Sequence, residues 1–243
     1  MTAIGIIGSA GRMGRAITAE LAAGNITCAG GIDKGDGDLV ALIGASDVLI
    51  DFSAPVALRT NLEACMFGGK PVVVGTTGLE EDHYHLIDAA SHSIPVLQSG
   101  NMSLGVNLLA ALVEDAARRL GDDWDIEIVE MHHRNKVDAP SGTALLLGQA
   151  AAHGRGISLA EHSERGRDGI TGARKQGAIG FASLRGGSVA GDHQVIFATN
   201  DERIDLSHRA ENRVIFARGA IKAALWLKDQ KAGRYDMRNV LGL

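Results

Sequence analysis

Short runs that are apolar on both faces alternate along the first hundred residues with segments whose apolar positions recur every three or four. Residues 3–8 (Ala-Ile-Gly-Ile-Ile-Gly) form such a run and read as a buried strand. Gly11 to Gly14 interrupt it, and residues 12–23 then read as a helix carrying Met13, Ile17 and Leu21 on one side. Further strands are expected at 26–32, ending at Asp33, and at 47–51, 71–75 and 94–98. Helices are expected from Pro55 toward Phe67, with proline in the first turn, and over 80–91. This β-then-α alternation predicts a parallel, doubly wound sheet.

The pattern changes after residue 102. Ser103 suits the cap of a long helix to Leu120, and residues 124–132 alternate like a strand. A helix is expected over about 143–152, and residues 154–177, rich in Gly and Arg, read as a long mobile loop. Strands follow at 178–184, 194–199 and 203–207, with a hairpin turn at Asn200-Asp201. A last amphipathic helix covers about 209–227, and periodicity does not say which domain it packs on. The domain boundary is expected near residue 102.

Composition narrows the class. The chain has 243 residues, 45% of them hydrophobic, enough for a sizeable core in one or two domains. Its net charge of -5 argues against nucleic acid as a partner. Two cysteines, Cys28 and Cys65, exclude a disulfide-dense scaffold and show no zinc-finger spacing. The N-terminus does not read as a signal peptide, and no run is long enough to span a membrane. A cytoplasmic location is expected.

Gly8-Ser9-Ala10-Gly11-Arg12-Met13-Gly14 lies between the first strand and the first helix. Its G-x-x-G-x-x-G spacing is a variant of the dinucleotide fingerprint. Such glycines permit a tight turn and let backbone amides and a helix N-terminus meet a pyrophosphate. A plain glycine-rich turn is the alternative. Asp33 stands about 20 residues on, where an acid binds a ribose diol. Lys34 follows it and suits a 2′-phosphate, so NADPH and/or NADH is expected. Gly75-Thr76-Thr77-Gly78 and Ser99-Gly100-Asn101-Met102 follow later strands, at the edge where ligands of such sheets bind.

The densest reactive cluster runs from Glu130 to Ala144. His132, His133, Arg134 and Lys136 form a local positive centre, and Ser141-Gly142-Thr143 open a helix whose amides and hydroxyls suit an anion. A histidine there suits a general acid. Adjacent histidines on a strand point to opposite faces, so no metal site is expected. Arg165 to Lys175 look like a lid or a partner-contact loop, or else a solvated insertion. No G-x-S-x-G elbow occurs, and neither cysteine sits beside a histidine motif.

The run His-His-Arg-x-Lys-x-Asp-Ala-Pro-Ser-Gly-Thr at 132–143 resembles the signature of the 4-hydroxy-tetrahydrodipicolinate reductase family. Asp51-Phe52-Ser53, residues 75–78, residues 101–107, the Arg167 to Arg174 loop, residues 179–181 and residues 236–241 have family counterparts in order, so the resemblance covers nearly the whole chain. It implies an α/β protein with a Rossmann-like dinucleotide domain, residues 1–102 and 213–243. A second α+β domain with an open mixed sheet, residues 103–212, would bind substrate and assemble a homotetramer.

The resemblance implies roles as well. His132 would be the proton donor and Lys136 a second donor or electrostatic group. His133, Ser141, Gly142 and Thr143 would hold a small dicarboxylate substrate. Gly8, Ser9, Ala10, Gly11, Arg12, Met13, Asp33, Lys34, Gly75, Thr76, Thr77, Ser99, Gly100, Asn101 and Met102 would contact the cofactor. The implied reaction is NAD(P)H-dependent reduction of 4-hydroxy-2,3,4,5-tetrahydrodipicolinate in the diaminopimelate route to lysine. Met102 stands where an aromatic residue is common, and Lys34 where arginine often sits. The rival readings are another NAD(P)-dependent dehydrogenase and a non-catalytic NAD(H)-sensing regulator, which would not need the His-His-Arg-x-Lys cluster.

Overall fold

Strands that bury both faces need helices on both sides, and the first part of the chain supplies them. The computed structural model describes Met1–Leu243 and divides into two units, Met1–Leu104 with Val214–Leu243, and Gly105–Arg213. In the first unit β1 (Ala3–Ile7), β2 (Thr27–Ile32), β3 (Val48–Asp51), β4 (Val72–Val74), β5 (Pro95–Gln98) and, from the chain end, β11 (Gly233–Tyr235) form one sheet. Its order is β11-β5-β4-β3-β1-β2 and every pairing is parallel.

Alternate strand residues feed two apolar layers. Ile4, Ile6 and Val73 pack on one side with α1 (Arg12–Ala23) and α8 (Val214–Leu227). Ile7, Leu49 and Val74 pack on the other with α2 (Leu39–Ala45), α3 (Leu58–Gly68) and α4 (Glu81–Ser91). Each such side chain contributes about 2 kcal/mol through burial. The last long helix therefore belongs to the first unit. A Cβ on Gly219 would lie 1.7 Å from the Met102 carbonyl oxygen, so only glycine lets α8 come this close to the exit of β5.

The second unit is built on a mixed sheet of order β10-β9-β6-β8-β7. Its strands are β6 (Asp125–His132), β7 (Ser163–Arg165), β8 (Ile179–Arg185), β9 (Gly191–Ala198) and β10 (Arg203–Ala210). Residues Ile126, Ile128, Val195 and Phe197 face a core shared with α5 (Leu104–Leu120) and α6 (Gly142–Arg155). The opposite face carries Val129, Met131, Leu184 and Ile196, which stay half-buried or exposed.

Several expectations are corrected. Residues 154–177 are not one mobile loop. Gly156, with φ 66°, ends α6; Leu159, 8% exposed, anchors a short α7 (Leu159–His162), and β7 then pairs in parallel with β8. Beyond it Arg167 and Arg174 both bind Glu127, at 2.9–3.0 Å, and tie the segment down. The last long helix starts at Val214 rather than 209, because β10 continues its register with β9 to Ala210 opposite Gly191. Three elements of seven residues or fewer had no pattern: α2, capped by Asp38; β11; and α9 (Met237–Leu241), capped by Asp236. No helix is long and apolar enough to cross a membrane.

Candidate active site

The glycine loop of the first unit is shaped by its neighbours. Gly8, with φ 86°, turns the chain off β1, and a Cβ there would lie 2.6 Å from the Phe52 carbonyl oxygen. A Cβ on Gly14 would lie 2.3 Å from the Gly8 carbonyl oxygen, so helix and loop close tightly. Gly11 caps α1 without a side-chain bond, leaving its first-turn amides to solvent or a ligand. Asp33 accepts from the Ala10 N–H at 2.9 Å and the Lys34 N–H at 2.8 Å. The Lys34 and Ala10 amides hold its carboxyl below the usual carboxylate range.

A cleft of about 690 Å³ opens here, lined by Gly8, Ala10, Gly11, Asp33 and Lys34. Sequence reasoning assigned no role to Phe52, Ser53, Ala54 and Asn61, which also line it. Their organiser is Asp51, 1% exposed. It accepts from the Ser53 N–H at 2.8 Å, Ser53 Oγ at 2.6 Å, Asn61 Nδ2 at 2.9 Å and Thr76 Oγ1 at 3.3 Å. Nearby, burial pushes the Cys65 thiol up to about 12, with the Asp51 charge adding to it.

The other expected residues sit along the same carboxyl edge of the sheet. The Phe52 ring occupies the space a Cβ of Gly75 would take, and Thr76 is buried against Asp51 while Thr77 is exposed. Ser99 and Asn101 bond each other, Gly100 is exposed, and the Ser99 N–H reaches the Val74 carbonyl at 3.1 Å. Ser9 and Met13 are half-buried and Arg12 is exposed. Met102 is different. Its side chain is 2% exposed and packed in the first unit's core.

In the second unit the cluster converges on Glu130, 1% exposed. Its Oε2 takes the Nδ1 of His132. Its Oε1 accepts from Arg185 at 2.9 Å and from the Ser141 N–H at 3.3 Å. Burial alone would raise this carboxyl, but the bonds from Arg185, Ser183 and His132 hold it below the usual range. For His132, 8% exposed, burial pulls the pKa down; the Glu130 bond opposes that, and the charges of Lys136 and Arg185 reinforce it. His193 stands edge-on to His132 with ring centres 5.0 Å apart. Burial and the His132 charge lower His193 to about 4.

Lys136 is not a free cation, since its Nζ donates to both Asp138 oxygens at 2.7 and 2.9 Å. Ser141 also makes internal bonds. Its N–H goes to Glu130, and its Oγ caps Ala144 N–H at 3.1 Å and meets His193 Nε2 at 3.3 Å. Gly142 is exposed at the first position of α6, and Thr143 is half-buried beside it. His133 points elsewhere. Its Nε2 meets Arg213 at 3.1 Å, and both line a pocket of about 850 Å³ with Arg134 and Asn212.

Glu130, His132 and His193 bring potential ligand atoms within 4.8 Å of one another. A metal ion there would have to replace the His132–Glu130 hydrogen bond and sit against the Arg185 guanidinium. In this structure Glu130 bonds His132 and Arg185, and His193 meets Ser141. Arg185, His193 and Arg213 escaped sequence reasoning, whereas Glu130 was within reach of it: two residues before His132, it shares that strand face.

Comparison with known proteins gives concordant matches. The family model for the N-terminus of dihydrodipicolinate reductase matches residues 2–102, and that for its C-terminus matches 105–241. A 4-hydroxy-tetrahydrodipicolinate reductase of Zymomonas mobilis is 58% identical, covering 99% of this chain and 97% of the relative. One of Rhodopseudomonas palustris is 61% identical, over 85% of this chain and 76% of the relative. Among solved structures, a dipicolinate-bound dihydrodipicolinate reductase from Paenisporosarcina sp. TG-14 matches with a TM-score of 0.75 at 22% identity. It covers 98% of this chain and 99% of that one, and shares the fold.

Proposed function

The chain belongs to the dihydrodipicolinate reductase family, and from that premise we propose how its residues divide the work. It is an oxidoreductase that uses a nicotinamide dinucleotide to reduce 4-hydroxy-2,3,4,5-tetrahydrodipicolinate to tetrahydrodipicolinate, a step of the diaminopimelate route to lysine.

The first unit holds the dinucleotide. The uncapped start of α1 and the 8–13 loop receive the pyrophosphate, and Asp33 receives the adenosine ribose. A carboxylate at that position supports NADH, and the exposed Lys34 beside it supports NADPH, so both serve. Residues 75–77 and 99–101 border the nicotinamide end. When bound, the reduced cofactor supplies the hydride.

The second unit holds the dicarboxylate and the proton. The Gly142 and Thr143 amides at the start of α6 receive one carboxylate, and His133 with Arg213 receives the other. His132 donates the proton, and Lys136 balances the charge that builds on the ring as hydride arrives. The observation that carries this reading is the buried Glu130–His132 pair beside Lys136 and the open start of α6. That is an acid, a cation and an anion seat within one run of sequence.

The half-exposed apolar face with Val129, Met131, Leu184 and Ile196 supports self-assembly through this sheet, as a homotetramer. The unpaired cysteines fit a cytoplasmic location. The test is loss of nicotinamide absorbance with purified protein, NADH or NADPH, and substrate generated in situ from pyruvate and aspartate semialdehyde by the synthase. Loss dependent on every component supports the reading and gives the cofactor preference. Nucleotide binding without oxidation sinks it.

A further inference from the structure

The proton of a neutral histidine can sit on either ring nitrogen, and an acid acting on one substrate atom needs one of them assigned. Here the assignment is made by the backbone register of three strands. His132 on β6 lies opposite Arg185 on β8, and Glu130 lies opposite Ser183 on β8 and His193 on β9. Around the His132 ring stand Glu130 from β6, Arg185 from β8, His193 from β9, and Lys136 with its partner Asp138 from the following loop. His193 is flanked in turn by His208 on β10. A Cβ at Gly191 would lie 3.0 Å from His132 Nε2, so the glycine keeps that nitrogen uncrowded.

Glu130 is the only carboxylate among these groups that bonds the ring, and it does more than that. Its second oxygen holds Arg185 and the first amide of the Ser141 cap. Arg185 NH2 also holds the Asp138 carbonyl at 2.7 Å, and Asp138 holds Lys136. One buried anion therefore connects the acid, the second cation and the start of α6. A carboxylate against Nδ1 keeps a proton there, leaving Nε2 as the nitrogen that exchanges with substrate.

We propose that Glu130 is a positioning residue for the proton-transfer step, fixing His132 with Nε2 as the acting nitrogen and locking that ring to the carboxylate-binding start of α6. The proposal rests on His132 being the acid. It predicts that Glu130 carries part of the rate without touching substrate or cofactor.

The test uses the full-length enzyme as wild type, Glu130→Gln, Glu130→Asp and His132→Gln, assayed for kcat and KM across pH. In parallel, nitrogen NMR follows the histidine rings of the wild type. With Glu130→Gln, kcat is expected to fall about 100-fold while the nucleotide KM holds. The alkaline limb should move to lower pH, because the imidazolium loses its counter-charge. Glu130→Asp should recover part of both. In the wild type, neutral His132 should carry its proton on Nδ1. A proton on Nε2 instead overturns the proposal without any variant being made. So does a Glu130→Gln enzyme with wild-type kcat and limb, or one that loses rate with an unmoved limb and no recovery in Glu130→Asp. If His132→Gln turns over normally, the acid assignment itself has failed, and the proposal falls with it.

Discussion

Each candidate site is organised around one buried carboxylate, and the two keep different company. Asp51 and Glu130 are both 1% exposed. Asp51 is held by a backbone amide, two hydroxyls and a carboxamide. None of these changes charge. Glu130 is held by a guanidinium, an imidazole, the Ser183 hydroxyl and one amide. Donors that carry no charge hold the Asp51 carboxylate by geometry alone. A carboxylate held by a guanidinium and an imidazole ties local geometry to the protonation of its partners.

The sharpest way to break this contrast is to remove the titrating side. His132→Gln or Lys136→Ala should lower kcat by about 10²- to 10⁴-fold, with nucleotide affinity unchanged in a fluorescence titration. A comparable loss of nucleotide affinity would mean that the two units do not divide the work. The next largest effect concerns stability in acid. His193 is neutral in the folded chain and titrates near 4 there, against an ordinary 6.5 when unfolded. Its contribution is whole above pH 6.5 and drains away as the pH falls toward 4, to a total of about 3 kcal/mol. Denaturant unfolding of His193→Gln across that window should show a flatter dependence than wild type.

On the neutral side, Asp51→Asn puts an amide N–H among donors and should cost about 1–3 kcal/mol. Tm and nucleotide affinity should fall, and the limbs of the pH–rate profile should stay in place. A shifted limb would erase the distinction between the two carboxylates. Smallest is the choice of cofactor. Asp33→Ala should raise KM for NADH by about tenfold, the loss of roughly one hydrogen bond to an ionised group, and Lys34→Ala should weaken NADPH alone. Initial rates with both nucleotides check this.

The alternation of β1 to β5 with their helices was legible because strands buried on both faces read as unbroken apolar runs. The pieces that were not legible are held by one or two side chains each. Leu159 anchors α7, and Asp236 caps α9. Such elements carry too few residues for a period to register. At the site, His132 and Lys136 stood out because they fall in one contiguous run. The partners of that run come from 55 residues away for Arg185 and Glu130, 52 for His193 and Ser141, and 80 for Arg213 and His133. Only the tertiary fold brings those residues in. Ser141 stands at a legible helix start, but the partners of its amide and its hydroxyl, Glu130 and His193, come from strands whose pairing the sequence does not show.

The close fit of Gly219 on the Met102 carbonyl also bears on how the chain is made. The first unit is completed by α8 and β11, which lie at the very end of the sequence, whereas the second unit is an unbroken stretch in the middle. As the polypeptide leaves the ribosome, the middle unit has all its parts first. The amino-terminal strands wait, with the part of one apolar face that α1 does not cover left open, until α8 emerges. Translation thus finishes the middle unit before the outer one, and a message truncated near its end yields a chain whose older part never closes.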